Sequence, residues 1–273
     1  MKASYHNGRK NQKEGNANHN DRNFDVTHAP QIDPSLSHLN RYLCVYPDMA
    51  FQDAELRFYK ENIKPWIDQK NQKRKEQRHK KRMETVEQVY RNKRTQPEEL
   101  ILQIGNGKEH PDDPTDLMEC YNELMEYSDK LTQHHCKILD AALHMDEPGM
   151  GPHMHVRRVW LYAEDGVLKI GQGKALEQAG IPLPEPYQLD EAGTPVRDPD
   201  GQLILQKPSQ YNNRKIMYDR LMRKKWYDIV ESHGYTIDRT PTNVKHVSLA
   251  EYKARKTEQA GQKEYTHGEE EKH

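Results

Sequence analysis

One stretch of this sequence restricts the possible folds more than any other. Ile138–His144 and His155–Tyr162 both read as strands, and between them lies Pro148-Gly149-Met150-Gly151-Pro152. Proline and glycine at that density end a strand and turn the chain, so the two segments are predicted to pair as an antiparallel hairpin. Successive strand side chains alternate between faces, which puts His153 and His155 on the same side of the sheet. The turn returns the preceding strand alongside, and its last residue, His144, is then able to face that pair. Three imidazoles gather there without a thiolate, and Glu147 lies within reach. That donor set suits a divalent ion with open positions for substrate oxygens: manganese first, with zinc or, less readily, magnesium as alternatives. The competing reading is scattered surface histidines, in a chain that contains 15 of them.

The rest of the chain supplies a helical and charged frame. Residues 51–95 read as helix interrupted near Pro65, from the helical spacing of Ala54, Leu56, Phe58, Ile63 and Ile67. Leu100–Ile104 is a short strand closed by Gly105-Asn106-Gly107, and Pro114 opens an amphipathic helix through Leu131. Further helices are expected at Ala175–Ala179, at Asn212–Ser232 and near Ser248–Lys256, with 182–208 read as loop. No internal repeat is apparent. The predicted fold is α+β in two layers: an antiparallel sheet of about five strands that carries the histidine site, packed against helices, with 51–95 as a long charged helical insertion. The polar N-terminal segment is laid over the sheet face. Residues 1–256 form the folded domain, and 257–273 form a polar disordered tail.

Composition narrows the classes further. Of 273 residues, 33% are hydrophobic and 31% charged, so part of the chain is expected to stay outside any core. There is no run of 18 apolar residues and no apolar segment near the N-terminus, so neither a membrane span nor a secretory signal is expected, and the location read from this is the cytoplasm. Three cysteines, Cys44, Cys120 and Cys136, without a CxxC pair, point to buried thiols rather than disulfides or a zinc–thiolate site. The formal net charge is -1. That average conceals a basic block, since Lys70–Arg94 holds eleven basic residues against three acidic ones. Such a block is either a solvated helix face or an arm that follows a phosphate backbone, with Lys73, Arg74, Arg78 and Lys81 among its candidates.

Three blocks in this order resemble one family. They are His19-Asn20-Asp21-Arg22 with Pro34-Ser35-Leu36-Ser37-His38-Leu39-Asn40 downstream; His144-Met145-Asp146-Glu147 with Pro152-His153-Met154-His155; and His233–Arg239 with Lys245-His246 and Leu249–Lys253. Together they are similar to the Pre/Mob (MobV-class) plasmid mobilisation and recombination relaxases of the HUH endonuclease superfamily. On its own the first tetrapeptide would read as a polar loop.

The resemblance implies a metal-dependent enzyme that nicks and rejoins single-stranded DNA in a supercoiled origin of transfer, through a covalent phosphoryl adduct, inside a bacterial cell. In that reading His144, His153 and His155 hold the metal. His19 is the nucleophile, Arg22 and Glu147 complete the catalytic group, and His38 and Asn40 support it from behind. Tyr5, Tyr42 and Tyr46 are alternative nucleophiles. Arg157, Arg158 and Lys174 join the basic block as DNA contacts, with only one of the two adjacent arginines expected to reach DNA. Transfer proteins of a mobile element are the implied partners, and nothing in the sequence fixes the oligomeric state. One departure stands out: Pro148–Gly151 lengthens the gap between the acidic pair and Pro152 beyond the family's usual spacing, which would move Glu147 away from the site. Two other classes remain: a non-catalytic DNA-binding protein on the same scaffold, and a structural metal-binding module.

Overall fold

The strands lie in the order β1 (Ala3–Asn7), β3 (Glu98–Ile104), β5 (His153–Glu164), β4 (Cys136–His144), β2 (Arg41–Cys44), with β6 (Val167–Ile170) on the far end of β5. Every pairing is antiparallel. This computed structural model describes residues 1–7, 17–111 and 113–239, and Met1–Asp238 form one compact unit. The fold is α+β, an open sheet of six strands packed with helices. Lys245-His246, the helix expected at Ser248–Lys256 and the tail 257–273 lie outside the described residues.

Burial on both sides of β5 explains its composition. Met154, Val156 and Trp160 face a core built with α5 (Pro114–Leu131), α6 (Gln172–Gln178) and α7 (Arg214–Ser232). Val159 and Leu161 face a second core made by the 51–95 segment. A strand covered on both faces loses the polar–apolar alternation of a half-exposed one. A bulge between Ile138 and Asp140 in β4 resets the register, so that Asp140, Ala142 and His144 oppose Arg157, His155 and His153.

The insertion is a series of short helices: α2 (Phe51–Phe58), one π turn (Tyr59–Ile63), α3 (Lys64–Glu76) and α4 (Val86–Arg91). Pro65, in the first turn of α3, has no N–H to give, and the Lys64 N–H reaches back five residues to the Tyr59 carbonyl. The interruption expected near Pro65 is thus a π turn just ahead of it.

Three strands escape the sequence reading. β1, β2 and β6 are only 5, 4 and 4 residues long. Tyr5 of β1 is buried in the main core, so residues 3–7, expected as part of a polar layer over the sheet face, instead form its edge strand and contribute to the core. The 182–208 segment corrects the reading of no repeat. Residues 188, 196 and 204 are spaced by eight, and the Val196 N–H donates to Gln188 (2.8 Å), Ile204 to Val196 (3.0 Å) and Gln188 to Ile204 (2.9 Å), a closed ring of main-chain bonds. Asp190 and Asp198 form matching turns, each carboxylate oxygen accepting from main-chain N–H groups two and four residues on. Asn212 closes the neck by pairing with both the N–H and the C=O of Glu185.

The Arg158 guanidinium is fully buried in the main core, against Glu98, the Tyr218 hydroxyl and the Asn7 side chain. Glu98 also accepts from Trp160 Nε1 at 2.7 Å and pairs with Lys215 at 3.1 Å. Burial would push the Glu98 carboxyl up, but Arg158 and Lys215 outweigh it and hold it down to about 2. A depressed carboxyl stabilises the fold above its ordinary range, and that stability is lost as pH falls from about 4.5 toward about 2. Glu98→Gln is expected to lower stability by about 3 kcal/mol, because Arg158 is left buried without its counter-charge. Denaturant melts read as a function of pH check this: the variant's acid-range slope should be shallower than the parent's, with Asp146 and the other depressed carboxyls supplying what remains.

Candidate metal centre

His144 ends β4 directly opposite His153, which opens β5, and His155 follows two residues on. Their ring centroids lie 5.4 Å (144–153), 4.8 Å (144–155) and 4.9 Å (153–155) apart. The hairpin between them is held from outside. Met150 and Gly151 N–H groups donate to the Glu147 carbonyl at 2.9 and 3.0 Å. Gly151 has φ +77, and a Cβ there would fall 2.5 Å from the Asn106 carbonyl; one on Gly107 would fall 2.7 Å from the Gly149 carbonyl. The two glycine-rich loops therefore dock main chain to main chain, and only glycine permits that approach.

Each imidazole has one nitrogen committed to a protein oxygen. His144 Nε2 donates to the Asn20 carbonyl (2.7 Å), His153 Nδ1 to the Gly151 carbonyl (2.9 Å) and His155 Nδ1 to Glu99 (3.1 Å). With the proton assigned there, the lone pairs fall on His144 Nδ1, His153 Nε2 and His155 Nε2. Two of these atoms, His144 Nδ1 and His155 Nε2, are buried with no hydrogen-bond partner. Buried acceptors are rarely left so, and a cation satisfies them. Burial first, then the neighbouring imidazoles, push His144 and His155 far below the ordinary histidine range, so both are neutral and fit to ligate near pH 7.

Two ligand groups can be formed among the described residues, His144–Glu147–His153 and His19–His144–His155, each with its ligand atoms within 4.8 Å of one another. His144 belongs to both, and His153 and His155 each join it in one; the His144–His153–His155 trio expected from the sequence is not itself a group at that spacing. Glu147 is not displaced by the longer hairpin: its Oε1 lies 3.7 Å from His144 Nδ1 and its Oε2 4.0 Å from His153 Nε2. The added residues bulge toward the Gly105–Gly107 loop instead.

The N-terminal arm reaches this centre through α1 (Ala17–Asn20), with Ala17 packed on Ala142 and Phe51. Asp21 accepts from the Phe51 N–H at 2.7 Å and so ties the arm to the start of α2. The His19 ring lies 5.9 Å from those of both His144 and His155, stacks on Phe24, and has Nε2 3.8 Å from Glu147 Oε1. Burial and then the Arg22 charge lower its pKa, which favours the neutral ring. Arg22 has φ +57, a conformation costly for a non-glycine residue and maintained here by its partners. Its guanidinium spans Asp146 (2.5 and 3.2 Å) and Glu147 (2.7 Å). Asp146 also accepts from Ser37 (2.9 Å) and Asn40 (2.8 Å), and Asn40 Oδ1 accepts from the Met145 N–H.

The structure therefore gathers His19, Arg22, Asn40, His144, Glu147, His153 and His155 in one place. His38 stands apart, exposed, with its ring on the Ser35 carbonyl. Arg157 and Arg158 do occupy opposite faces, yet neither reaches the surface as a DNA contact would. Arg157 is buried against Glu55 at 2.5 and 3.1 Å and Arg158 against Glu98, because helices cover β5 on both sides. Lys73, Arg78, Lys81 and Lys174 are exposed, Lys174 beside Glu177, while Arg74 is half-buried against Glu84. Of the tyrosines, Tyr5 lies in the core, Tyr46 bonds Glu61, and the Tyr42 hydroxyl accepts from Asn40 at 3.2 Å.

Sequence reasoning missed Asn20, Glu99 and Asp146 as parts of the site. Asn20 uses its carbonyl to orient His144 and its amide to hold Glu99 (3.1 Å), which in turn orients His155. A period-two reading of β3 carries a usable signal, since Glu99, Ile101 and Gln103 oppose Arg157, His155 and His153.

No family model and no curated protein matches the sequence. Among solved structures, the chain is similar to the MobM relaxase domain (MOBV; Mob_Pre) bound to plasmid pMV158 oriT DNA (22nt), a Mn-bound crystal structure at pH 5.5. Identity is 18%, the TM-score 0.47, and the match covers 93% of this chain and 100% of that one. The same domain bound to a 23nt oriT DNA, Mn-bound at pH 6.5, matches at 17% identity and TM-score 0.45, over 94% of this chain and 99% of that one.

Proposed function

We propose that this protein is a metal-dependent relaxase that nicks and rejoins one DNA strand at an origin of transfer. The observation that carries the reading is His19, delivered by an arm of distant sequence to within 5.9 Å, ring to ring, of two imidazoles whose free nitrogens are buried and unpartnered. His144, His153 and His155 would hold the divalent ion, manganese by preference. When bound, that ion polarises the phosphoryl oxygens as a Lewis acid. The neutral His19 imidazole supplies the nucleophile: its nitrogen forms a bond to phosphorus while the ester bond to the departing strand breaks, and the proton given up by the ring's other nitrogen balances the one taken by the departing oxygen, which leaves that strand with a free hydroxyl end. Arg22, with Nη1 3.5 Å from His19 Nε2, keeps positive charge where the phosphoryl group gains negative charge. Asp146, Ser37 and Asn40 hold Arg22 and the β4 end in register with each other.

Incubation with manganese and a supercoiled plasmid bearing the origin of the element that encodes the protein tests the reading. Relaxed circles with protein attached after detergent treatment are the expected product. Plasmid that is bound yet stays supercoiled would instead assign the non-catalytic DNA-binding role, and manganese binding without either DNA binding or nicking would assign the structural metal-binding role.

A further inference from the structure

The helical insertion contains a cleft of about 220 Å³ between α3 and the chain around α4, walled by Trp66, Lys70, Glu84, Val89 and Arg94. Two properties separate it from an ordinary surface dimple. Trp66 is a half-exposed indole, whereas Trp160 and Trp226 are 4% and 0% exposed in the main core. Lys70 Nζ sits over the Trp66 ring, 5.2 Å from its centroid, held there by Glu84 at 2.7 Å. The cleft also opens beside concentrated positive charge. Lys73, Lys75, Arg78, Lys80, Lys81 and Arg82 follow along α3 and the turn after it. All six are exposed, and none makes an ion pair among the described residues. The single carboxylate of the cleft, Glu84, is neutralised by Lys70 and Arg74, whose hydrogen bonds lower its pKa.

From these features we infer that the Trp66–Arg94 cleft is a base-binding subsite for single-stranded nucleic acid, taking one unstacked base against the indole while the flanking phosphates lie on the α3 cations. An aromatic wall with cations along its rim is the arrangement that binds single strands independently of sequence. The placement agrees with that role. Trp66 packs on the core that contains Val159 and Leu161, on the β5 face that carries His155. Four to six residues of strand, roughly 13–20 Å, separate His155 from the Val159 and Leu161 side of that core. The cleft lies on the far side of the same core, so a strand anchored at the metal centre would run past those positions to reach it. The inference rests on the relaxase reading for its biological substrate, but not for its test.

Because the other two indoles are buried, tryptophan fluorescence reports on this cleft. Titration of the full chain with a twelve-residue oligothymidylate in EDTA is expected to quench the emission saturably, and added salt to weaken the binding. Trp66→Leu should remove the quench and weaken binding about 5- to 150-fold, the range of one stacked base. Arg94→Ala, at an exposed position that spares the core, should weaken binding several-fold and reduce the slope of log affinity against log salt by about 0.7. Binding by anisotropy of a labelled strand, without quench and unchanged in both variants, overturns the inference, as does adduct formation on plasmid without any quench. Quench with no adduct on plasmid leaves the cleft standing and overturns the relaxase reading alone.

Discussion

His19→Ala is expected to form no covalent DNA adduct, a loss of at least about 10³-fold, while it still binds manganese and single-stranded DNA. The His19 side chain is 27% exposed and lies on top of the imidazole group rather than inside its support, so its removal empties no core. The three histidines keep their oxygen partners at Asn20, Gly151 and Glu99, none of which involves the His19 ring. The check is a detergent gel of protein incubated with labelled origin DNA and manganese. Persisting adduct in this variant would assign the nucleophile elsewhere, with Tyr42, bonded to Asn40, as the first tyrosine to test.

His155→Ala is expected to weaken manganese affinity at least about 100-fold. A saturating ion, at 100 times its dissociation constant, stabilises a folded protein by about 2.7 kcal/mol. For a chain of this size that corresponds to a rise of roughly 5–10 °C in melting temperature. The parent should show that rise with manganese and the variant should not. Without metal the variant is expected to melt below the parent, since it loses a buried ring and its bond to Glu99, so the readout is the manganese-induced shift within each protein. Removing a support has a smaller effect: Glu99→Leu, which leaves His155 in place but frees its ring, should weaken the metal about 10- to 100-fold. Equal melting shifts in parent and His155→Ala would place the ion elsewhere.

The hairpin and its histidines were legible because period-two alternation and a proline–glycine turn are local signals, and local signals determine which side chains share a face. The arm was legible only by its resemblance to a family. Residues 17–22 are polar and short, and their order comes from contacts more than a hundred positions away, at His144 and Asp146. Arg157 and Arg158 show the opposite failure: two adjacent cations look like surface, and only the helices on both sides of β5 turn them into buried ion-pair partners. Glu55 and Glu98, which neutralise them, lie too far away in sequence for any spacing rule. The octet pattern in 182–208 was present as Asp190-x-x-Gly193 and Asp198-x-x-Gly201, but its turns were read as irregular loop because each strand between them is too short to show alternation.

That octet ring also bears on behaviour in concentrated solution. Tyr187, Leu189 and Leu205 protrude from it, and greasy side chains on an open ladder would invite neighbouring copies to stack through their amide groups. Here Gln188, Val196 and Ile204 spend both their N–H and C=O groups on one another in a circle, so at those three positions the ring offers a neighbouring copy sticky side chains nearby but no main-chain group on which a fibril could grow.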